Sequence, residues 1–263
     1  MEMIDIHCHI LPGVDDGAAD LAEAVAMARV AARDGVRTIV ATPHHGEPNW
    51  PERRRLLSDL ATLRSRLHEE GIAVDVLLGA EVFVSLDLGV LAAAGKLPVI
   101  REGPYVLVEF PFSLFPNYAE HVLFELQVRG FKPIVAHPER CEPLQRDVAR
   151  LAAMVERGML VQINAGSLTG VYGGRVRAAA RQMVLAALAH VIASDGHGVA
   201  GRGPGLSAAV AEASRLVGLA RAEAMVTAAP AAIIKGERFA LPPIEKPSKT
   251  RRWAWPRLPF RRR

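Results

Sequence analysis

The sequence predicts an α/β fold in which parallel strands form a closed or nearly closed barrel, and three observations lead to this prediction. Short β-branched, apolar stretches alternate with helical patterns about seven times along the chain. These repeats fill roughly 240 residues, a length that suits one barrel better than two dinucleotide-binding halves. Polar residues that could carry chemistry follow the strands at their carboxyl ends, where barrel enzymes assemble their sites.

The first half of the chain carries four of the predicted strands, separated by helical patterns. The opening strand, residues 4–10, precedes a helix that starts after Asp20, where Glu23 completes a capping-box-like pair, and that stops at Gly35. The remaining elements of this half are a strand at 37–41, an amphipathic helix at 51–70, a strand at 73–78, a short helix near 86–94 and a strand at 105–110.

The second half repeats the alternation and ends in a segment of different composition. Its elements are a helix at 117–129, a strand at 132–136, a helix at 146–157, a strand at 160–163, a helix at 176–189, a strand at 191–193, and helices near 206–217 and 221–235. The periodic pattern ends near Pro242. We therefore predict a single domain over 1–241 and a basic, tryptophan-containing, flexible tail over 242–263.

The composition is that of an ordinary globular protein. Half of the 263 residues are apolar, and no apolar run reaches the roughly 18–20 residues that a membrane span needs. The N-terminus enters a strand directly, without the basic segment and apolar core of a signal peptide. Two cysteines, Cys8 and Cys141, give no disulfide framework. We therefore expect a cytoplasmic protein.

The net charge of +4 is concentrated near the C-terminus. Residues 246–263 hold eight Lys or Arg residues and no acid, which leaves 24 basic against 28 acidic residues in the rest of the chain. The body is mildly acidic, so we expect no nucleic-acid partner. In the tail, basic residues are interleaved with Trp253, Trp255 and Phe260. The tail is either a solvated segment or a contact for an anionic surface, such as inner-leaflet lipid or an acidic partner.

Two histidines one residue apart begin the series of polar strand ends. His7 and His9 point the same way, because side-chain direction in a strand repeats every two residues, and Asp15 and Asp16 follow closely. Imidazole and carboxylate are usual ligands of divalent metals. The full set of polar residues at or just past the strand ends is His7, His9, Asp16, His44, Glu81, Glu109, His137, Arg140, Asp195, His197 and Arg202.

This set predicts the chemistry of a phosphoester hydrolase. Five histidines and four carboxylates are too many for one tetrahedral site and indicate two or three metals that share bridging carboxylates. Neighbouring metals acidify water and stabilise the oxygens of a transferring phosphoryl group, and Arg140 and Arg202 offer paired donors to a tetrahedral oxyanion. A cysteine phosphatase is excluded, because it needs Arg six residues after the cysteine. Val14 follows Cys8 at that distance, and Asp147 follows Cys141.

Seven segments resemble one family of metal-dependent phosphatases. They are Asp5-Ile6-His7-Cys8-His9-Ile10-Leu11, Val14-Asp15-Asp16-Gly17, Thr42-Pro43-His44, Gly79-Ala80-Glu81, Ala136-His137-Pro138-Glu139-Arg140, Gln162-Ile163-Asn164-Ala165-Gly166-Ser167 and Ser194-Asp195-Gly196-His197. In this order, they resemble the polymerase-and-histidinol-phosphatase (PHP) superfamily. More closely, they resemble its bacterial manganese-dependent tyrosine phosphatases of the CpsB/YwqE type.

The resemblance implies a distorted (β/α)7 TIM-like barrel, the PHP fold, with three metals. The metals would be Mn²⁺, with Fe, Zn or Mg as alternatives. The implied ligand groups are His7, His9, Glu81 and Asp195 around the first metal, Glu81 with Glu109 and His137 around the second, and Asp16, His44 and His197 around the third. Arg140 and Arg202 would grip the phosphate. The choice between Asp16 and its neighbour Asp15 stays open.

The resemblance also implies a substrate and a partner. The expected substrate is the phosphotyrosine cluster in the tail of a membrane-associated bacterial tyrosine kinase that controls capsule or exopolysaccharide synthesis, which would bring the protein to the inner membrane face. One alternative is a small-molecule phosphatase of the same superfamily, acting on histidinol phosphate or a nucleotide phosphoester. Another is a metal-stabilised adaptor without activity, which has no need of paired arginines. Formation of homo-oligomers is left open.

Overall fold

The computed structural model describes residues 1–45 and 52–239, and every pair of neighbouring strands in these ranges is parallel. The strands are β1 (Met3–Cys8), β2 (Val36–Ala41), β3 (His44–His45), β4 (Asp75–Leu78), β5 (Glu81–Phe83), β6 (Tyr105–Glu109), β7 (Lys132–Ala136), β8 (Leu160–Asn164) and β9 (Val191–Ala193). They form a three-stranded sheet in the order β1-β2-β4 and a six-stranded sheet in the order β3-β5-β6-β7-β8-β9.

The two sheets contain seven strand positions. Strand β3 continues β2 after a break at Thr42 and Pro43, and β5 continues β4 after a break at Gly79 and Ala80. Proline cannot donate a hydrogen bond to the neighbouring strand, so a break at Pro43 follows from its chemistry.

The last strand returns to the first. The backbone N–H of Asp195 donates to the carbonyl of His7 at 2.8 Å, and the N–H of His9 donates to the carbonyl of Gly196 at 2.8 Å. The seven strand positions therefore follow one another in a ring. The predicted α/β fold with about seven parallel strands is confirmed.

Helices follow the strands and cover the ring. They are α1 (Leu21–Asp34), α2 (Arg53–Glu69), α3 (Leu88–Ala93), α4 (Ala119–Val128), α5 (Glu142–Arg146), α6 (Val148–Glu156), α7 (Ala165–Thr169), α8 (Gly174–Leu185), α9 (Ser207–Val217), α10 (Leu219–Ala224) and α11 (Ala228–Ile234). Short 3₁₀ turns occupy Ile100–Glu102 and Pro138–Arg140. No helix within the described ranges combines the length and apolar character that crossing a bilayer requires.

The apolar core has two parts. The larger lies between strands and helices, and the smaller contains residues such as Ile6, Leu107 and Ile134 together with Ile233 of α11. In β1, Ile6 belongs to the smaller cluster and Cys8 to the larger, and the register against β2 shifts between Asp5 and Cys8. An irregularity of this kind changes the direction in which the side chains of a strand point. In β1 it occurs where His7 and His9 point toward the site.

Two predicted helices have different bounds in the structure. The helix expected over 146–157 starts later, as α6 at Val148, because the Asp147 side chain accepts a hydrogen bond from the N–H of Arg150. The helix expected over 221–235 divides into α10 and α11, with Pro230 in the first turn of the latter. Proline is tolerated there and not in a helix interior, since it lacks the N–H.

Candidate metal centre

All nine predicted metal ligands lie together at the carboxyl ends of the strands. Seven of them line an open cavity of about 380 Å³, together with Arg140 and Arg202. His7 and His9 lie fully buried beside them. The arrangement of parallel strands accounts for this meeting, because their carboxyl ends converge on one rim.

The first predicted ligand group has the spacing of a metal site. The Nε2 atoms of His7 and His9 lie 3.3 Å apart. Glu81 Oε2 lies 3.2 and 3.5 Å from these two nitrogens, and Asp195 Oδ1 lies 3.6 and 3.5 Å from them. Four atoms around a tetrahedral metal with bonds of about 2.1 Å stand about 3.4 Å apart. The donor set therefore fits a first-row divalent ion.

Hydrogen bonds on the outer ring nitrogens orient three of the histidines. The Nδ1 atom of His7 lies 3.0 Å from Gln162 Oε1, that of His9 lies 2.7 Å from Asp15 Oδ2, and that of His197 lies 2.9 Å from the backbone carbonyl of Asp195. Each of these partner atoms can only accept, so each Nδ1 carries the proton. The Nε2 lone pairs are left free for a metal, an arrangement typical of metal-binding histidines.

A chain of side-chain amides joins two residues of the first group. Gln162 Nε2 donates to Asn164 Oδ1 at 2.7 Å, and Asn164 Nδ2 donates to Asp195 Oδ2 at 2.7 Å. Since Gln162 Oε1 accepts from His7, the chain runs from His7 to Asp195 through two aligned amides. Both amides are buried on β8, two residues apart and on the same face.

Glu81 lies between the first and second predicted groups. Its Oε2 atom has His7, His9 and His44 nitrogens at 3.1–3.5 Å, none in hydrogen-bond geometry. Its Oε1 atom accepts from His137 Nε2 at 2.8 Å. A buried carboxylate with ligand nitrogens around each oxygen is suited to bridge two cations.

Glu109 completes the second predicted group at longer range. Its Oε1 atom lies 3.9 Å from His137 Nε2, and its Oε2 atom lies 4.0 Å from His44 Nδ1. Burial and the nearby charge of Glu81 raise the pKa of the Glu109 carboxyl. His44 is thus close to the second group as well as to the third.

The two adjacent aspartates have different surroundings. Asp16 Oδ1 lies 3.1 Å from His197 Nε2 and 3.5 Å from His44 Nε2, and its side chain is 63% exposed. The Asp15 side chain is 3% exposed and accepts hydrogen bonds from the His9 ring and from the backbone N–H groups of Gly17 and His44. This geometry favours Asp16 as the ligand, and it indicates that Asp15 orients the ring of His9.

The electrostatics of the cluster call for positive charge. Burial disfavours a charge on His7, but the carboxylates of Glu81 and Asp195 outweigh that effect and raise its pKa to about 9. Burial also opposes a charge on His44, and Asp16 and Glu81 still raise its pKa to about 11. Despite its burial, Asp195 has its pKa lowered to about 2, chiefly by His7. Divalent cations held by these carboxylates and by neutral histidines would supply such positive charge.

Two site residues adopt a backbone conformation that side chains rarely adopt. His137 has φ 28° and Asp195 has φ 52°. Residues other than glycine seldom have positive φ, and such strain is concentrated at functional sites. His137 directly follows β7, and Asp195 follows β9 after Ser194, so the strain turns their side chains toward the rim.

Both predicted phosphate-binding arginines contact the same carboxylate oxygen. Arg140 Nη1 donates to Asp195 Oδ2 at 2.8 Å, and Arg202 Nη2 donates to it at 3.0 Å. With Asn164, this oxygen has three donors, which leaves Oδ1 to face the first ligand group. Arg202 Nε is buried and has no hydrogen-bond acceptor within the described ranges. An anion in the cavity would supply one.

A family model for capsular polysaccharide synthesis proteins, CpsB/CapC, matches residues 3–235. The chain belongs to this family. Among curated proteins, the tyrosine-protein phosphatase YwqE of Bacillus subtilis is 41% identical over 75% of this chain and 78% of its own length. The tyrosine-protein phosphatase CpsB of Streptococcus pneumoniae is 28% identical over 88% of this chain and 98% of its own. The sequence-based assignment to this family is confirmed.

Solved structures also place the chain in the CpsB/CapC family. Crystal structures of YwqE from Bacillus subtilis and CpsB from Streptococcus pneumoniae, described as unique metal-dependent tyrosine phosphatases, include a chain that matches with a TM-score of 0.89 and 35% identity. The match covers 94% of this chain and 100% of the other. A lactonase from Listeria monocytogenes matches with a TM-score of 0.55 at 12% identity, which extends the likeness of the fold to TIM-barrel-like hydrolases.

The sequence patterns assign no role to several residues around this CpsB/CapC site. Gln162 and Asn164 lie in a recognised motif, and their spacing of two on a strand is a usable signal. Asp15 enters the predictions only as the alternative to Asp16. The half-exposed Phe83 and Phe112 also line the cavity, and no pattern in the sequence distinguished them from core aromatics.

Proposed function

We propose that this protein is a metal-dependent tyrosine phosphatase that hydrolyses phosphotyrosine on a bacterial tyrosine kinase of the capsule or exopolysaccharide pathway. The observation that carries the proposal is the joint geometry of the rim. Seven candidate ligands and two arginines line one cavity, with His7 and His9 buried beside it, and both arginines donate to the candidate ligand Asp195. Membership of the CpsB/CapC family supports the same reading.

The metals are proposed to be Mn²⁺, held by the three groups His7, His9, Glu81 and Asp195; Glu81, Glu109 and His137; and Asp16, His44 and His197. When bound, divalent metals would acidify the hydrolytic water and neutralise charge on the phosphoryl oxygens. Three clusters of potential ligand atoms in the described ranges support a multinuclear site: His9, Asp16, His44 and His197; His7, Glu81, His137 and Asp195; and His44, Glu81 and Glu109.

The arginines account for recognition of the phosphate. Each guanidinium keeps N–H groups beyond the one that Asp195 accepts, and these are charge-assisted donors matched to a phosphoryl group. Because Asp195 holds both arginine side chains in place before phosphate binds, these side chains lose little conformational entropy on binding. Donors that are oriented beforehand stabilise charge in the transition state.

The walls of the cavity favour a substrate that is a phosphate ester of an aromatic hydroxyl group. Phe83 and Phe112 are 45% and 43% exposed and stand beside the ligands Glu109 and His137. A phenyl ring packs well against such side chains, preferring edge-to-face or offset geometry. Phenolate is also a good leaving group, since tyrosine has a pKa of about 10, so the reaction places little demand on a general acid.

The deciding experiment compares phosphate release from a phosphotyrosine peptide and from histidinol phosphate, with the metal-stripped protein and after addition of Mn²⁺. We expect Mn²⁺-dependent release from the peptide. Arg140→Met should lower kcat/KM by about 100-fold, the effect of removing one transition-state donor. The exposed Arg146, which pairs with Glu142, provides the matched Arg146→Met control, and that variant should keep full activity. Release from histidinol phosphate alone would contradict the proposal.

A further inference from the structure

We propose that Tyr172 is a positioning residue that fixes both arginines of the cavity, an inference that rests on the proposed phosphatase function. Tyr172 lies in the loop between α7 and α8, a segment to which no motif assigns a role. Its ring and its hydroxyl group each contact a different arginine.

The ring of Tyr172 is one of two aromatic rings that contact the guanidinium of Arg140. The guanidinium carbon of Arg140 lies 4.5 Å from the centroid of the Tyr172 ring and 4.3 Å from that of the Phe112 ring. A guanidinium within about 6 Å of an aromatic face is attracted to it. Two rings in contact with the guanidinium restrict its rotation, and the N–H groups at its edge stay free for Asp195 and for an anion.

The hydroxyl group of Tyr172 engages Arg202. The phenol group and the guanidinium interact as polar neighbours, and in this pair the phenol oxygen is the acceptor, since a guanidinium can only donate. Burial, followed by the charge of Asp195, raises the pKa of Tyr172, so its hydroxyl group stays neutral. Tyr172 thereby links the two arginines that meet at Asp195.

The backbone around Tyr172 is shaped to bring the ring to this position. A Cβ atom added to Gly166 would lie 3.0 Å from a ring carbon of Tyr172, closer than ordinary van der Waals contact, so glycine at this position gives the ring room. Gly173, the next residue after Tyr172, has φ 89° and turns the chain toward α8. Gly166 lies two residues after Asn164, so the Tyr172 ring packs near the end of β8. Asn164, the last residue of this strand, donates its side-chain amide to Asp195.

Two substitutions separate the contacts. Tyr172→Phe keeps the ring against Arg140 and removes the hydroxyl group from Arg202, and Tyr172→Leu removes both. We expect kcat/KM on a phosphotyrosine peptide to fall by about tenfold for the first variant and about 100-fold for the second, because hydrogen bonds and cation–π contacts to charged groups are strong when partly desolvated. The metal content should equal that of the wild type.

A second measurement does not depend on activity. Calorimetric titration of the metal-loaded proteins with inorganic phosphate should show weaker affinity for Tyr172→Phe than for the wild type, and the weakest affinity for Tyr172→Leu. The matched control is Tyr105→Phe, which removes a hydroxyl hydrogen bond to the Glu237 carbonyl at the opposite end of the strands and should change neither readout.

The outcomes distinguish this inference from the proposed function. A wild type that releases no phosphate from the peptide overturns the function, while phosphate titration of the same three proteins still decides the role of Tyr172. Wild-type phosphate affinity in both Tyr172 variants, or loss of metal in parallel with affinity, overturns the positioning role. Loss of affinity with full metal content supports it.

Discussion

At the scale of single residues, the candidate metal centre is organised by groups that would not touch a metal. Gln162, Asp15 and the backbone carbonyl of Asp195 fix which nitrogen of their histidine partners carries the proton. Asp195 Oδ2 is held by Asn164 and by two arginines. The ligand atoms therefore point at common centres before any ion binds, and orienting partners of this kind tune affinity.

Gln162→Leu tests the amide chain. The substitution preserves the approximate side-chain size, removes the acceptor for His7 Nδ1 and leaves Asn164 Oδ1 without its donor. We expect the affinity for Mn²⁺ to fall by about 10- to 100-fold, measured by titration of the metal-stripped protein. Gln127→Leu removes an amide hydrogen bond to the Arg157 carbonyl, away from the rim, and should bind Mn²⁺ like the wild type. Equal affinities for Gln162→Leu and the wild type would refute an orienting role.

The two aspartates should differ in metal stoichiometry. Asp16→Asn replaces a proposed ligand of the third metal, so we expect the protein to bind one metal ion fewer per chain. Asp15→Asn keeps the ligand set and weakens the hydrogen bond that orients His9, so we expect unchanged stoichiometry with weaker binding. Metal content by elemental analysis after gel filtration separates these results. A lost ion in Asp15→Asn with full content in Asp16→Asn would reverse the assignment.

The gathering of the predicted ligands could be anticipated, but the contacts of Tyr172 could not. His7, Glu81 and Asp195 lie at or just past the ends of recognisable strands, and parallel strands bring their carboxyl ends together whatever the details of packing. Tyr172 lies in a glycine-rich loop without periodicity, and its contacts with Arg140 and Arg202 depend on how distant loops fold over the rim. Such contacts arise from tertiary packing, which local patterns do not encode.

At the scale of elements, the loop that carries Arg202 is anchored by the end of a helix far away in the sequence. Asp34, the last residue of α1, accepts hydrogen bonds from the backbone N–H groups of Leu206 and Ser207 at 2.6 and 2.8 Å and also from the Ser207 hydroxyl. It thus satisfies free donors at the start of α9, as a capping residue would. The sequence predicts the start of α9 near residue 206, but no local pattern indicates that Asp34, from the end of α1, supplies its cap.

Asp34→Ala should therefore destabilise the fold more than an ordinary surface substitution does. We expect a loss of about 1–2 kcal/mol in the free energy of unfolding, measured by urea denaturation of the metal-stripped protein. Asp87 stands before α3 but makes no side-chain capping hydrogen bond. Asp87→Ala is the matched control and should cost less than about 0.5 kcal/mol. Equal losses in the two variants would show that Asp34 does not cap α9.

At the scale of the whole molecule, the parallel ring separates a structural end from a chemical end. Ile233 of α11 and Ile100 pack into the apolar interior of the ring, and the ligands and arginines occupy the carboxyl ends of the strands. The charged residues are also distributed unevenly along the chain. The body carries an excess of acidic residues and residues 246–263 carry only basic ones. The predicted tail lies outside the described residues, so both it and the boundary near Pro242 stay predictions.

The tail provides a prediction about where the phosphatase acts. Each basic residue near an anionic membrane contributes about 1 kcal/mol, and tryptophans favour the membrane interface. We expect the full chain to sediment with vesicles of phosphatidylglycerol and phosphatidylcholine but not with phosphatidylcholine alone. Because salt screens such attraction, binding should weaken as ionic strength rises.

A protein ending at residue 241 should lose this binding and hydrolyse a soluble phosphotyrosine peptide like the full chain, because all candidate metal ligands and both phosphate-binding arginines lie at or before Arg202. A full-length variant with Trp253 and Trp255 replaced by alanine should show an intermediate affinity, since it keeps all eight basic residues of 246–263. Undiminished sedimentation of the truncated protein would assign vesicle binding to the body, whose acidic excess gives no reason to expect it. If the tail acts only by binding the membrane, the full chain should hydrolyse a vesicle-anchored phosphopeptide faster than the truncated protein does. The two proteins should hydrolyse the soluble peptide at the same rate.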